Sequence, residues 1–291
     1  MKKNLFFVCL MAISLIGCKP TGRTLTSATG TIYECLVVMN ATPLSQEENQ
    51  LIAGRWTSNG SSYEEAVVTV YDLVKRVMAA DMPCLPQMEP YFKLTQVPVL
   101  AFDNYLKPTR NILFVDINPD KYTQTKAKVS TNVWSKPQAY YHIQCPSQQD
   151  FVAYWLEHGE EVRDWFGAEE MRRQVYFYRA STNKEARAAL NKTIGCDMLI
   201  PEDYRLIMDT IITIKEPVGQ LNSDKVALVW CCNNKGPMRR DVVVYSYPYE
   251  DANTFTPDFL NRKRDEVLGQ VVSASVDGSY MGTEYKYFPP E

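Results

Sequence analysis

Ser181 and Lys184 stand at the S-x-x-K spacing, in which a lysine one helical turn away could take the proton of a nucleophilic serine. That chemistry also calls for S-D-N and K-T-G partners. Ser223-Asp224-Lys225 departs from the first and Lys192-Thr193-Ile194 lacks the glycine of the second. Ser181 therefore reads better as the N-cap of the helix running through Ala186 and Leu190. The chain has two histidines, His142 and His158. Glu157-His158-Gly159-Glu160-Glu161 offers one histidine where an H-E-x-x-H zinc site needs two. His158 lies four residues from both Tyr154 and Val162, a spacing that puts it on an apolar helical stripe as a packed or boundary residue. A metal centre would need His142 brought to it from another element, so no metal and no cofactor is expected. Two carboxylates about 5–9.5 Å apart can hydrolyse a glycoside. Asp116, Asp197 and Asp209 sit in apolar runs and are the candidates, but the sequence aligns no two of them. No nucleophile elbow, Walker loop, dinucleotide fingerprint or EF-hand loop occurs, and no catalytic residue is assigned.

Covalent chemistry is marked most clearly at Cys18. It follows a short apolar run, Leu5 to Ile16, which itself follows Lys2 and Lys3. A run of that length cannot cross a hydrocarbon core, which needs roughly 20 apolar residues, but it suits the h-region of an export signal. Leu15-Ile16-Gly17-Cys18 resembles the lipobox, in which a thioether joins the cysteine to diacylglycerol and the preceding peptide bond is cleaved. Residues 1–17 are thus expected to be a lipoprotein signal peptide and Cys18 the lipid attachment site. Acyl chains contribute about 0.8 kcal/mol per buried methylene, enough for stable attachment with more than one chain. Residues 18–32, rich in Thr, Ser, Gly, Lys and Arg with little that is apolar, read as a flexible tether.

Loss of Lys2 and Lys3 with the signal leaves 29 basic residues against 34 acidic, a formal net charge of −5. Nucleic-acid binding needs clustered cations. The densest cluster, Arg262-Lys263-Arg264, runs at once into Asp265 and Glu266 and reads as a solvated helix face, so no nucleic-acid partner is expected. Six cysteines remain beside Cys9 and Cys18: Cys35, Cys84, Cys145, Cys196, Cys231 and Cys232. Export permits disulfides, and fifteen pairings of six thiols are open. Cys35, Cys145 and Cys231 lie in apolar strand-like runs, which favours mostly free, buried thiols.

The elements that must position these groups follow from periodicity. Tyr33–Met39 is a continuous apolar run and reads as a central strand. Ser62-Tyr63-Glu64-Glu65 has the form of a capping box for a helix whose stripe is Val67, Val70, Val74, Val77 and Met78, with Asp72 and Arg76 paired outside. Strands are expected at Phe92–Val99, Asn111–Ile117 and Gln138–Gln144, the first two as a hairpin that gives Glu89 and Arg110 separate structural roles. A long helical stretch from Pro146 should break at Gly167 and Ser181 and end at Gly195 as a C′ residue. Strands at Tyr204–Ile214, Lys225–Cys232 and Arg240–Tyr247 precede a helix over Pro257–Val271. Runs of strands alternate with groups of helices, so the class is α+β, with mainly antiparallel sheets packed against helices. Residues 33–291 read as one domain, with two sheet-and-helix halves meeting near 146 as the alternative.

Several runs taken together carry a resemblance: Leu85-Pro86-Gln87-Met88-Glu89-Pro90, Arg110-Asn111-Ile112-Leu113, Trp134 with Pro137-Gln138, Ile200-Pro201 with Asp203-Tyr204, Tyr245-Ser246-Tyr247-Pro248-Tyr249, Arg264-Asp265, and Gly278-Ser279-Tyr280-Met281. They resemble the successive motifs of an uncharacterised lipoprotein family of the Bacteroidetes, one with a domain of unknown function. Val272-Ser273-Ala274-Ser275 departs from it where a Gly- and Pro-bearing turn would be expected. The resemblance implies a shared fold and a membrane location and supplies no catalytic residues. Surface-displayed lipoproteins of that phylum tend to carry acids just after the lipidated cysteine, whereas Cys18 is followed by Lys19-Pro20-Thr21-Gly22-Arg23. The expected location is the outer membrane, facing the periplasm. The favoured reading is a non-enzymatic binding or scaffolding module with the membrane and an envelope protein as partners; the alternative is a hydrolase of cell-wall or envelope glycan or peptide.

Overall fold

The computed structural model describes residues 24–56, 67–83, 85, 87–214, 225–249, 251–272, 279–280 and 282–283. The signal peptide, Cys18, Ser62–Glu65 and Cys84 lie outside them. The chain divides into two compact units, one of residues up to Ala80 with Phe92–Phe166, the other of Asp81–Tyr91 with Gly167 onward.

In the first unit, Thr26–Ser27 (β1) already pairs with Ser135–Lys136 (β6), so the fold takes hold of the chain inside the stretch that composition assigns to the tether. Glu34–Val38 (β2), Lys93–Val97 (β3), Asn111–Ile117 (β4), Lys126–Thr131 (β5) and Ala139–Cys145 (β7) form one sheet in the order β3-β2-β4-β7-β5. The α+β class holds, but three of the four pairings in this sheet are parallel and only β5–β7 is antiparallel. The expected hairpin of β3 with β4 is absent because β2 lies between them. Unbroken buried apolar runs, Cys35–Val38 and Ile112–Leu113, suit parallel strands covered on both faces, and the segment 98–110 is long enough to carry the chain across β2.

Between β2 and β3 run Gln46–Trp56 (α1) and Val70–Met78 (α2). Ser45 and Glu48 cap α1 reciprocally: the Glu48 amide donates to Ser45 Oγ (3.2 Å) and the Ser45 amide to Glu48 Oε2 (2.7 Å). That S-x-x-E signature stands in the sequence unread. Helix α2 begins later than its stripe suggests, because Thr69 is the N-cap and Asp72 accepts from the amides of Val68 and Thr69. The Asp72 carboxylate thereby caps its own helix start. Val70, Leu73, Val74 and Met78 are fully buried. Gln148–Ala180 (α3) runs through Gly167 without a break, as a single glycine costs only about 1 kcal/mol in a helix. Its residues to Phe166 belong to the first unit; there Trp165 and Phe166 meet Tyr141 of β7, and Trp155 Nε1 donates to the Leu73 carbonyl.

The second unit holds Lys184–Ala189 (α4), a π-helical turn at Leu190–Ile194, Arg205–Thr213 (β8), Lys225–Asn233 (β9), Arg240–Ser246 (β10) and Pro257–Val271 (α5). The sheet β10-β9-β8 is antiparallel throughout. One face packs Val229 and Cys231 on Ala186, Ala189 and Leu190, and the other packs Val226, Leu228 and Trp230 with Val267 of α5. Asn183, not Ser181, caps α4 by accepting from the Ala186 amide (2.9 Å). Gly195 closes the π-helical turn at φ +81°, where a side chain would be strained. The five described cysteines are free thiols, all buried except the half-buried Cys196.

Candidate functional site

The groups singled out for catalysis are committed to the scaffold. Ser181 Oγ donates to Glu202 Oε2 (3.1 Å), and Lys184 is exposed at the start of α4. Asp197 takes a two-pronged bond from Arg187, whose guanidinium holds it below the usual carboxylate range, and Asp209 accepts from Thr193. Asp116 is met by Tyr122. No three His, Cys, Asp or Glu side chains converge among the described residues. His158 is a boundary residue, its ring 4.8 Å from that of Tyr154 and its Nδ1 3.0 Å from Glu161 Oε2. His142, on β7, stands beside Phe114 and Tyr140 (centroids 5.1 and 5.8 Å). Its Nε2 is buried and has no hydrogen-bond partner among the described residues, and burial pushes its pKa down, which favours the neutral ring.

Two places in the first unit have polar groups arranged together. Asp116 and Gln144, near the carboxyl ends of parallel β4 and β7, share Tyr122: its hydroxyl donates to Asp116 Oδ2 (2.6 Å) and accepts from Gln144 Nε2 (3.2 Å). Burial, then Asp116, raises the Tyr122 pKa, so the phenol stays protonated and the network is closed. Elsewhere a hollow of about 250 Å³ is lined by Arg55, Trp155, Glu157, Glu160 and Glu161, smaller than the roughly 300–1,000 Å³ of small-molecule sites. The motif residues of this unit are structural too. Gln138 is buried and its side-chain amide donates to the carbonyls of Lys107 (2.6 Å) and Thr109 (2.7 Å), and Asn111 donates to the Glu34 carbonyl. The Arg110 amide donates to the Thr29 carbonyl and its own carbonyl accepts from Ala139.

In the second unit three distant motifs meet on α5. Tyr245 on β10 and Tyr247 just past its end stack 6.1 Å apart, and Tyr247 meets Phe259 at 6.0 Å. Lys263 Nζ lies 5.6 and 5.8 Å from those last two rings and 3.0 Å from Glu266. Its side chain is only 8% exposed, which corrects the reading of Arg262-Lys263-Arg264 as a solvated face. Ring faces and a carboxylate replace the water that a buried ammonium gives up. Asp265 accepts from both the amide and hydroxyl of Thr283, Arg264 donates to the same hydroxyl, and Tyr280 covers Gly269, where a Cβ would stand 3.4 Å from the ring. Separately, Tyr249 and Phe255 stack at 5.4 Å and 27° while 63% and 70% exposed, and Arg262 lies over Phe259 at 5.4 Å. Phe255 ends the short 3-10 turn Ala252–Phe255, just before Thr256, the N-cap of α5. Flat exposed rings with cations at hand can dock a partner; they have no group poised to make or break a bond.

Two models of domains of unknown function match, DUF8532 over residues 62–178 and DUF4837 over residues 181–291, in keeping with the uncharacterised family that the motifs resemble. No curated protein and no solved structure matches the chain.

Proposed function

We propose that this chain of two domains of unknown function is a lipid-anchored envelope protein, held at the outer membrane through Cys18 and facing the periplasm, that acts as a non-enzymatic binding module. The observation that carries the binding role is the exposed Tyr249–Phe255 stack. Exposed paired aromatics are the side chains that supply most energy in protein interfaces, and Arg is enriched beside them. The anchor is supported by the lipobox-like Leu15-Ile16-Gly17-Cys18. The alternative, a hydrolase of envelope glycan or peptide, draws on the hollow whose wall includes Glu157, Glu160 and Glu161.

Crosslinking and capture from native membranes test the reading. A tagged wild-type chain should retain an envelope protein that the double variant Tyr249→Ser, Phe255→Ser loses while both remain folded. Equal capture by both would sink the assignment of this surface. Cys18→Ser should release the chain from the membrane fraction or leave the signal uncut; unchanged mobility and retention would refute the anchor. Turnover of a wall glycan or peptide that is abolished by Glu160→Gln would establish the hydrolase instead.

A further inference from the structure

We propose that the crossover from β3 to β4 is a second membrane contact, with Leu100 and Tyr105 entering the lipid interface beside the anchor; this rests on the lipid-anchored reading above. Val99, Phe102 and Leu106 of the crossover pack inward on Leu36, Val38 and Ile112 of the sheet. The side chains between them are turned out, Leu100 fully exposed and Tyr105 90% exposed. Asp103 Oδ1 accepts from the amides of Tyr105 (2.9 Å) and Leu106 (3.3 Å), and buried Gln138 grips the Lys107 and Thr109 carbonyls, so the outward rings and methyls sit on a fixed turn.

The lipid surface is singled out as occupant by where the chain joins the fold. Ten residues separate Cys18 from Thr29, a reach of at most about 40 Å when extended. The same entering segment is bonded to the crossover: the Thr29 amide donates to the Pro108 carbonyl (2.9 Å), and Thr29 bridges Thr109. An anchor at Cys18 therefore keeps this element within about 40 Å of the bilayer, tethered by its own neighbour Thr29. Leucine suits the acyl boundary and tyrosine the headgroup level, where its ring is apolar and its hydroxyl stays wet. An inserted side-chain pair adds the second signal that turns an acyl tether into an oriented attachment.

A photoreactive phenylalanine analogue placed at position 100, 105 or 129 of the full chain, in cells with acyl-labelled lipids, tests this. Val129 is an exposed control: it pairs with Tyr141, whose ring meets α3, and so stands on the sheet face opposite the crossover. Lipid adducts at 100 and 105 several-fold above those at 129 are expected, and Leu100→Ser should reduce the yield at 105. Equal adducts at all three positions, or protein adducts alone at 100 and 105, overturn the proposal when acyl label on Cys18 shows that the anchor is intact. A chain without label on Cys18 overturns both, and the labelling distinguishes the two failures.

Discussion

In the first unit a polar trio and a set of rings about His142 close on themselves, whereas in the second unit two rings are left stacked in water. Tyr122, Asp116 and Gln144 close on one another beside a parallel sheet, and His142 is walled in by Phe114 and Tyr140. In the second unit Tyr247 and Phe259 are half-buried about Lys263, while Tyr249 and Phe255 form an exposed stack. The difference teaches that aromatic content alone does not locate a binding surface. Rings that satisfy each other and a buried cation are architecture; rings left stacked in water cost free energy that a partner can recover.

If that contrast is right, substitutions should rank by how far inside the first unit they fall. Trp155→Ala removes a ring 1% exposed that is stacked on Phe151 and bonded to the Leu73 carbonyl. It should cost about 3–5 kcal/mol, read as a large fall in the guanidinium midpoint. A loss below about 1 kcal/mol would mean that this interior is loosely packed. Tyr122→Phe keeps the ring but strands Asp116 and Gln144; an effect of about 1–2 kcal/mol in the same measurement is expected, and a neutral result would show the network to be no tighter than water.

His142 sharpens the comparison through pH. Its folded pKa is depressed below the ordinary 6.5 by burial, so as pH falls below that value the unfolded chain takes up a proton that the folded chain refuses. Stability should therefore decline with falling pH from about 6.5 toward the lower folded pKa. His142→Phe, which keeps the aromatic contacts, should flatten the midpoint-versus-pH curve in that window; an unchanged slope would assign it to another group. The smallest effect belongs to the exposed pair: Phe255→Ser should change stability by less than about 0.5 kcal/mol. A loss as large as that of Tyr122→Phe would make this stack architecture as well and remove its claim to be a docking surface.

Local structure was legible where a single turn or strand decides it. Strands β8, β9 and β10 and helix α5 lie within two residues of their periodicity at each end, Pro257 follows the Thr256 cap, and Gly195 takes the left-handed turn. Strand β5 was not legible, because Lys126–Thr131 is exposed along its whole length and shows no alternation of burial.

The sequence by itself determined the α+β class, the antiparallel sheet of the second unit and the local caps, since these depend on side-chain period and on bonds spanning three or four residues. Only the tertiary structure decided that β2 stands between β3 and β4, because strand order is a matter of which distant edges meet and not of any strand's own pattern. It alone also buried Lys263: one cation of three in a row is taken inside, and which one depends on Tyr247 arriving from β10 and Phe259 from a turn earlier on α5. The same holds for Leu100 and Tyr105, whose exposure follows from their neighbours' packing on a sheet that the crossover itself spans.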